Sequence, residues 1–380
     1  MHNGKTAKII VVGGGVAGLT AALALQDWAQ VTLIEREAQL GYHASGRSAA
    51  LFSESYGNTA VRALSLISRA TLAAGDYFGH RRGAMHFGGP EDGEMIDRFA
   101  QEAFALLPTI RRLSASEVAQ SVPAIDVSRT CGGAYEPDAM DIDTDRVLQG
   151  TASAFRAKGG QIRLAEDVLR IERRGDGGLR VHTASGEHNA DMVVNAAGAW
   201  ADVIAERAGL AGLGLTPKRR TAFMFDAQEY DVRGWPLVVD IRERFYFKPD
   251  AGRLIGSLAD ETDTSPCDAY ADDMDVAIAV DRIEQATKLR IVRPQTPWAG
   301  LRTFAPDRSP IVGADPRLAG FCWLAGQGGY GFQVSFALAR LASALLRDNK
   351  LPDEFGAAGV TRTALAPDRF LDAGPRQANG

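Results

Sequence analysis

Cysteine is scarce in this chain. Cys131, Cys267 and Cys322 are its only thiols in 380 residues, and they stand far apart. No C-x-x-C pair or zinc-type spacing exists, so neither a disulfide framework nor a metal site is expected, and the thiols read as buried or inert. Excess positive charge is missing. A formal net charge of -5 leaves no basic field for a nucleic-acid partner. Long apolar runs are missing too. The stretch from Ile9 to Leu25 comes nearest, but four glycines interrupt it, so no integral membrane segment is expected. Repeats and low-complexity segments are absent. With 46% hydrophobic and 23% charged residues, the composition is that of a folded chain. The length suits two domains. The polar N-terminus enters a strand at once, and a soluble, cytoplasmic protein is expected.

Glycine is abundant, and its placement is informative. Ile9 to Val12 read as a buried strand. Gly13, Gly15 and Gly18 follow in the order G-x-G-x-x-G, and Leu19 to Leu25 continue as an apolar helix. A second strand, Val31 to Ile34, ends at Glu35, 22 positions after Gly13. Gly13 permits the tight turn, Gly15 lets a pyrophosphate approach the backbone, and Gly18 allows close helix–strand packing. The helix N-terminus at Val16 and Ala17 offers unpaired N–H groups to phosphates. Glu35 stands where a carboxylate accepts hydrogen bonds from a ribose. Together these residues predict a dinucleotide site.

Further along, a polar loop runs through Ser45, Gly46, Arg47, Ser48, Ala49 and Ala50, whose small residues let a backbone lie against a ligand; Arg47 could face a phosphate. Asp141, Asp143 and Asp145 superficially resemble a calcium loop. Arg146 replaces the required glycine and Ala152 the required glutamate, so calcium is rejected. Asp143 or Thr144 reads instead as the N-cap of a helix through about Ala157. Strands near 161–164, 168–173 and 179–183 read as a small antiparallel sheet with a hairpin around Gly175 to Gly178. The run from Asp191 through Asn195, Ala197 and Gly198 to Trp200 reads as an apolar strand ending in small residues, which returns the chain to the nucleotide sheet. The segment from Leu213 to Trp298 is strand-rich, interrupted by one helix. Near the end, a strand from Phe321 to Ala325 leads into Gly328-Gly329-Tyr330-Gly331 and a helix.

These motifs, with Trp298-Ala-Gly300-Leu-Arg302, occur in an order that resembles the FAD-dependent D-amino-acid oxidase family, which includes glycine and sarcosine oxidases. Gly41-Tyr-His, Asp141-Ile-Asp-Thr-Asp145, Pro217-Lys-Arg-Arg220 and Phe245-Tyr-Phe-Lys-Pro-Asp250 resemble the D-arginine dehydrogenase branch most. The likeness covers roughly residues 8–370. It implies an α/β fold: a three-layer Rossmann-like FAD-binding domain interleaved with an α+β substrate domain on a mostly antiparallel sheet. The expected FAD-binding parts are 1–80, 141–205 and 305–370, the substrate-binding parts 81–140 and 206–304, and 371–380 is a disordered tail. FAD is expected to be non-covalent, because Gly300 to Thr303 carry no cysteine at the tethering position. Arg36, Val168 and Tyr330 join the expected cofactor contacts, and the helix beginning near Tyr330 or Gly331 would direct its positive end at the flavin.

The implied chemistry is hydride transfer from the Cα of a D-amino acid, or a related amine, to flavin N5, giving an imine that water hydrolyses to the oxo acid. Arg220 and Arg302 occupy the carboxylate-binding positions, where a planar guanidinium pairs bidentately. Tyr246 and Tyr56 supply hydroxyls beside the substrate, although a core role for Tyr246 stays open. Gly300 and Gly329 offer carbonyls to the amine. Arg219 points to the other strand face. Oxygen or a quinone- or dye-type compound is the expected acceptor. Two residues depart from the D-arginine branch: Ala84 replaces a glutamate and Leu51 a histidine. Without a buried acid a guanidinium is left unpaired, so an uncharged or apolar side chain is expected; Glu243 is the nearest alternative acid by sequence. Three other readings are weighed. They are an N-alkyl amino acid or glycine-type oxidase, a flavoprotein electron-transfer subunit without its own site, and an NAD(P)-dependent dehydrogenase.

Overall fold

The computed structural model describes residues 6–371. Of the expected tail, 372–380 therefore lie outside the described residues. One sheet has six strands in the spatial order 311–314, 321–325, 192–195, 7–12, 29–34 and 161–163. All its neighbours pair in parallel except the first two. Strand Ala7–Val12 is central and buried at every position except Lys8, as a strand covered on both faces must be. Val12 pairs with both Ile34 and Asn195, so three strand ends reach one edge of the sheet together. That edge is where open α/β sheets place ligands.

Helices Val16–Leu25, Thr144–Ala157 and Gly331–Asp348 contribute buried residues to one core with this sheet. A three-stranded antiparallel meander, Val168–Arg173, Leu179–Thr183 and Gly186–Ala190, covers the other face. These are the three layers. The expected small sheet is corrected in two places. Gln161–Arg163 joins the parallel sheet beside Ala29–Ile34. The third meander strand is Gly186–Ala190, which is mostly exposed and polar and so shows no apolar alternation.

A second, larger sheet takes its strands from 84–136 and 216–304. It is antiparallel apart from Leu237–Asp240, which runs parallel to Ala84–Gly88. Residues 78–88 form two strands. Phe78–Arg81 pairs in a small separate sheet and Ala84–Gly88 in the large one, with Gly83 at φ +71° between them. Asp143 caps helix Thr144–Ala157, accepting from the Arg146 N–H at 2.9 Å, and Asp141 pairs with Arg82 and Lys248. Two of the three aspartates of the calcium-like stretch, Asp141 and Asp143, thus have structural partners.

Candidate active site

The turn after Ala7–Val12 is built by its glycines. Gly13 has φ +113°, and a Cβ there would stand 2.5 Å from the Ala196 carbonyl oxygen. A Cβ on Gly18 would come within 1.8 Å of the Gly13 oxygen, so the helix packs directly on the turn. Above Gly15, by contrast, only Ser45 Oγ lies near, at 3.1 Å from an added Cβ. That backbone is open to a deep cleft bordered by Gly13, Gly15, Val16 and Ala17. Ser45 Oγ accepts the Val16 N–H at 3.0 Å, which places a hydroxyl at the helix N-terminus. Glu35 also borders the cleft. Its carboxylate accepts the N–H groups of Gly14 at 2.5 Å and Glu37 at 2.8 Å, which hold it in place.

Ser48, Ala49, Ala50, Val168, Ala197 and Gly198 line the same cleft. Nothing lies within 4 Å of a Cβ built on Gly198, at φ +55°. Trp200 is covered by the Arg36 guanidinium, 3.9 Å from its ring centre, and by the His43 ring at 4.5 Å. Arg47 borders the cleft, but its guanidinium does not wait for a phosphate. It donates to the Ala269 and Ala299 carbonyls at 2.8 and 3.1 Å and pairs with Asp268. The loop thus ties the nucleotide unit to the larger sheet, a long-range role that the local sequence does not show.

Gly328, Gly329 and Gly331 border the cleft beside helix Gly331–Asp348. Two of the expected contacts stand behind its wall. Gly18 serves packing alone. The Tyr330 ring is buried between Tyr56 and Phe304, at 4.9 and 6.1 Å, and burial pushes its hydroxyl up to about 12.

At the substrate end, antiparallel pairing sets Arg220 opposite Gly300 and Lys218 opposite Arg302. Opposed residues share a face, so both arginines rise on one side of the sheet. Arg219 faces the other way and pairs with Asp275 at 2.8 Å, as alternation predicts. Arg302 donates from Nη2 to Tyr56 Oη at 2.8 Å, while its buried Nη1 has no partner among the described residues. Gly329 is tight against this guanidinium: a Cβ there would stand 1.9 Å from Nη2. Arg220 is held from behind, with Nε on the Asp260 carbonyl at 2.7 Å and Nη2 3.5 Å from Glu261. Burial, and then the like charge of Arg302, lower its pKa. Tyr246 lines the cleft while Phe245 and Phe247 enter the core, so alternation leaves Tyr246 facing the site.

Ala84 and Leu51 do line the cleft. Leu237, Val239, His86 and Lys248, which sequence reasoning missed, complete that wall. The available signal was a lone polar residue inside an apolar strand, at His86 and again at Lys248. Glu136 pairs with Ala84 across the sheet, but its buried carboxylate accepts Ser53, Ser55 and the Glu54 N–H, and it does not border the cleft. Glu243 borders the cleft but is exposed. No cysteine lines it; Cys322 is buried, Cys131 half-buried and Cys267 exposed.

The residues suit a flavin dinucleotide. Beyond the open glycine turn, buried Thr303 Oγ1 and Gln327 Nε2 have no partner among the described residues and belong to cleft-lining residues. This is the site of an FAD-dependent oxidoreductase: the chain belongs to the FAD dependent oxidoreductase family, whose sequence model matches residues 8–345. Among individual relatives, it is 25% identical over 273 residues to the uncharacterized oxidoreductase YurR of Bacillus subtilis, covering 67% of this chain and 69% of that protein. It is 21% identical to human mitochondrial dimethylglycine dehydrogenase over 86% of this chain, but spans only 40% of that longer protein. Its fold is similar to that of glycine oxidase from Geobacillus kaustophilus, with a TM-score of 0.78 and 23% identity over 94% and 99% of the two chains.

Proposed function

We propose that the protein oxidises the Cα–N bond of a D-amino acid with an uncharged side chain, using non-covalently bound FAD. The observation that carries this reading is the buried, unpartnered Nη1 of Arg302 beside Arg220, at a cleft that continues to the dinucleotide turn. A buried guanidinium donor without an acceptor is costly unless a ligand supplies one. A carboxylate does so, and a second arginine beside it adds charge. An electron-transfer subunit without a substrate would have no use for this pair.

Segments 1–80, 141–205 and 305–370 hold the cofactor in this reading, and 81–140 and 206–304 the substrate. Gly13 to Ala17, Ser45 and Glu35 would hold the nucleotide end, and Gly328 to Gly331 with Thr303 and Gln327 the ring end. Bound FAD supplies the acceptor for the hydride that leaves Cα. The chain positions the substrate. Arg302 and Arg220 grip the carboxylate, Tyr56 orients Arg302, and Tyr246 stands beside them. Gly300 and Gly329 offer carbonyls to the amine. Fixing Cα in this way matters because small misplacements lower rates steeply.

The distal wall disfavours a cationic side chain. Ala84, Leu51, Leu237 and Val239 are apolar, and Lys248 and Arg82 share the single carboxylate of Asp141. A guanidinium there would meet positive charge, and Glu243, an acid that borders the cleft, is exposed. The D configuration is supported by the motif likeness set out above. An N-alkyl or glycine-type substrate is a second reading, supported by the relatives named dimethylglycine dehydrogenase and glycine oxidase. Anaerobic flavin bleaching with D-leucine, L-leucine, D-arginine and sarcosine tests the proposal. D-leucine should bleach fastest. Faster bleaching by D-arginine would overturn the side-chain reading, and bleaching by sarcosine alone would select the second reading.

A further inference from the structure

We propose that His86 is a specificity-determining residue: its imidazole hydrogen-bonds an uncharged polar group, such as a carboxamide or hydroxyl, on the substrate side chain. This rests on the amino-acid reading above and narrows its substrate class.

Strand Ala84–Gly88 alternates between two environments. Met85 and Phe87 enter the core of the larger domain, whereas Ala84 and His86 border the cleft. His86 lies between Ala134 and Val239 on the neighbouring strands, both aliphatic. Behind it, helix Gly93–Phe104 brings Phe99 against the ring, with centroids 4.3 Å apart and planes at 32°. The open side is the cleft. Among the described residues the imidazole has no hydrogen-bond partner, and the two strand neighbours and the helix residue set against it are apolar. Burial pushes its pKa down to about 4, so near neutrality it is uncharged, with one N–H donor and one acceptor nitrogen.

A purely aliphatic substrate side chain would displace water from this ring and leave both nitrogens unmet, which is unfavourable in a buried setting. A carboxamide answers both, and a hydroxyl answers either. Such groups are discriminated strongly because the penalty falls on the partner left unpaired. An anionic side chain would seek Lys248 instead, but its ammonium is already held by Asp141 at 3.0 Å.

Binding of unreactive carboxylates to the FAD-loaded protein, read from perturbation of the flavin spectrum, tests the assignment without turnover. The probes are glutaramate, which ends in a carboxamide, 4-methylpentanoate, which is apolar, and glutarate. The wild type should bind glutaramate most tightly. His86→Leu should weaken glutaramate by about tenfold while changing 4-methylpentanoate by less than about threefold, and His86→Gln should restore much of the loss. Tighter wild-type binding of 4-methylpentanoate overturns the assignment before any variant is made. So does equal weakening of both ligands in His86→Leu, and so does preferred binding of glutarate that ignores His86. If no carboxylate perturbs the flavin, the arginine clamp itself fails and this assignment falls with it.

Discussion

At the scale of the residue, the arginine pair carries the clearest predictions. Arg302→Ala and Arg220→Ala should each lower the efficiency of flavin reduction by an amino acid by about 2–5 kcal/mol while FAD stays bound, because a charge-assisted contact to the carboxylate is lost. Stopped-flow reduction measures this; wild-type rates with unchanged substrate dependence in both variants would refute the clamp. Gly329→Ala is a subtler test. Its methyl would overlap Arg302 Nη2, so the guanidinium must move. The expected result is a raised KM for the amine and retained flavin, and unaltered kinetics would count against the packing. The two arginines came from the family resemblance, whereas the opposite orientation of Arg219 was legible in the sequence itself, because alternation along a strand is a local rule. Arg47 shows the limit of such reading. Its cleft-side place was legible, but its partner Asp268 is 221 residues away in sequence.

At the scale of the element, the dinucleotide turn was readable because its parts are contiguous. Gly13, Gly18, the helix and the following strand act on one another within a few turns of chain. Gly18→Ala should therefore damage more than its single methyl suggests. The overlap with the Gly13 oxygen forces the helix off the turn, and lower FAD content and a lower Tm are expected in a thermal melt with flavin detection. The cap of helix Thr144–Ala157 offers a milder contrast: Asp143→Ala should cost about 1 kcal/mol in chemical denaturation and leave FAD binding intact. Elements without local signals were lost. Gly186–Ala190 has no apolar alternation. The change of sheet at Gly83 has no local signal either: the close neighbour there is Tyr135, distant in sequence, whose hydroxyl would lie 2.4 Å from a Cβ on Gly83.

At the scale of the whole molecule, residues of both large sheets line the cleft, and Arg47 on its border pairs with Asp268. The hydrogen bond from Arg47 holds the Asp268 carboxyl below the usual aspartate range. A depressed folded pKa means that this contribution is complete above the unfolded value and is lost as pH falls through the folded one. Asp268→Asn should therefore lower Tm at neutral pH, and the difference from wild type should shrink as the medium is acidified below about pH 4. A gap that is constant with pH would show that the pair contributes no charge interaction. Taken alone, the sequence determined the parallel nucleotide sheet, the FAD family and the arginine strands, because contiguous glycines and period-two alternation are short-range instructions. Only the tertiary structure decided which side chains meet over the substrate. Ala84, His86, Leu237, Val239 and Lys248 come from three strands, the first of which lies more than a hundred residues of chain before the other two. Their pairing register, a long-range property, sets the shape and polarity of the wall.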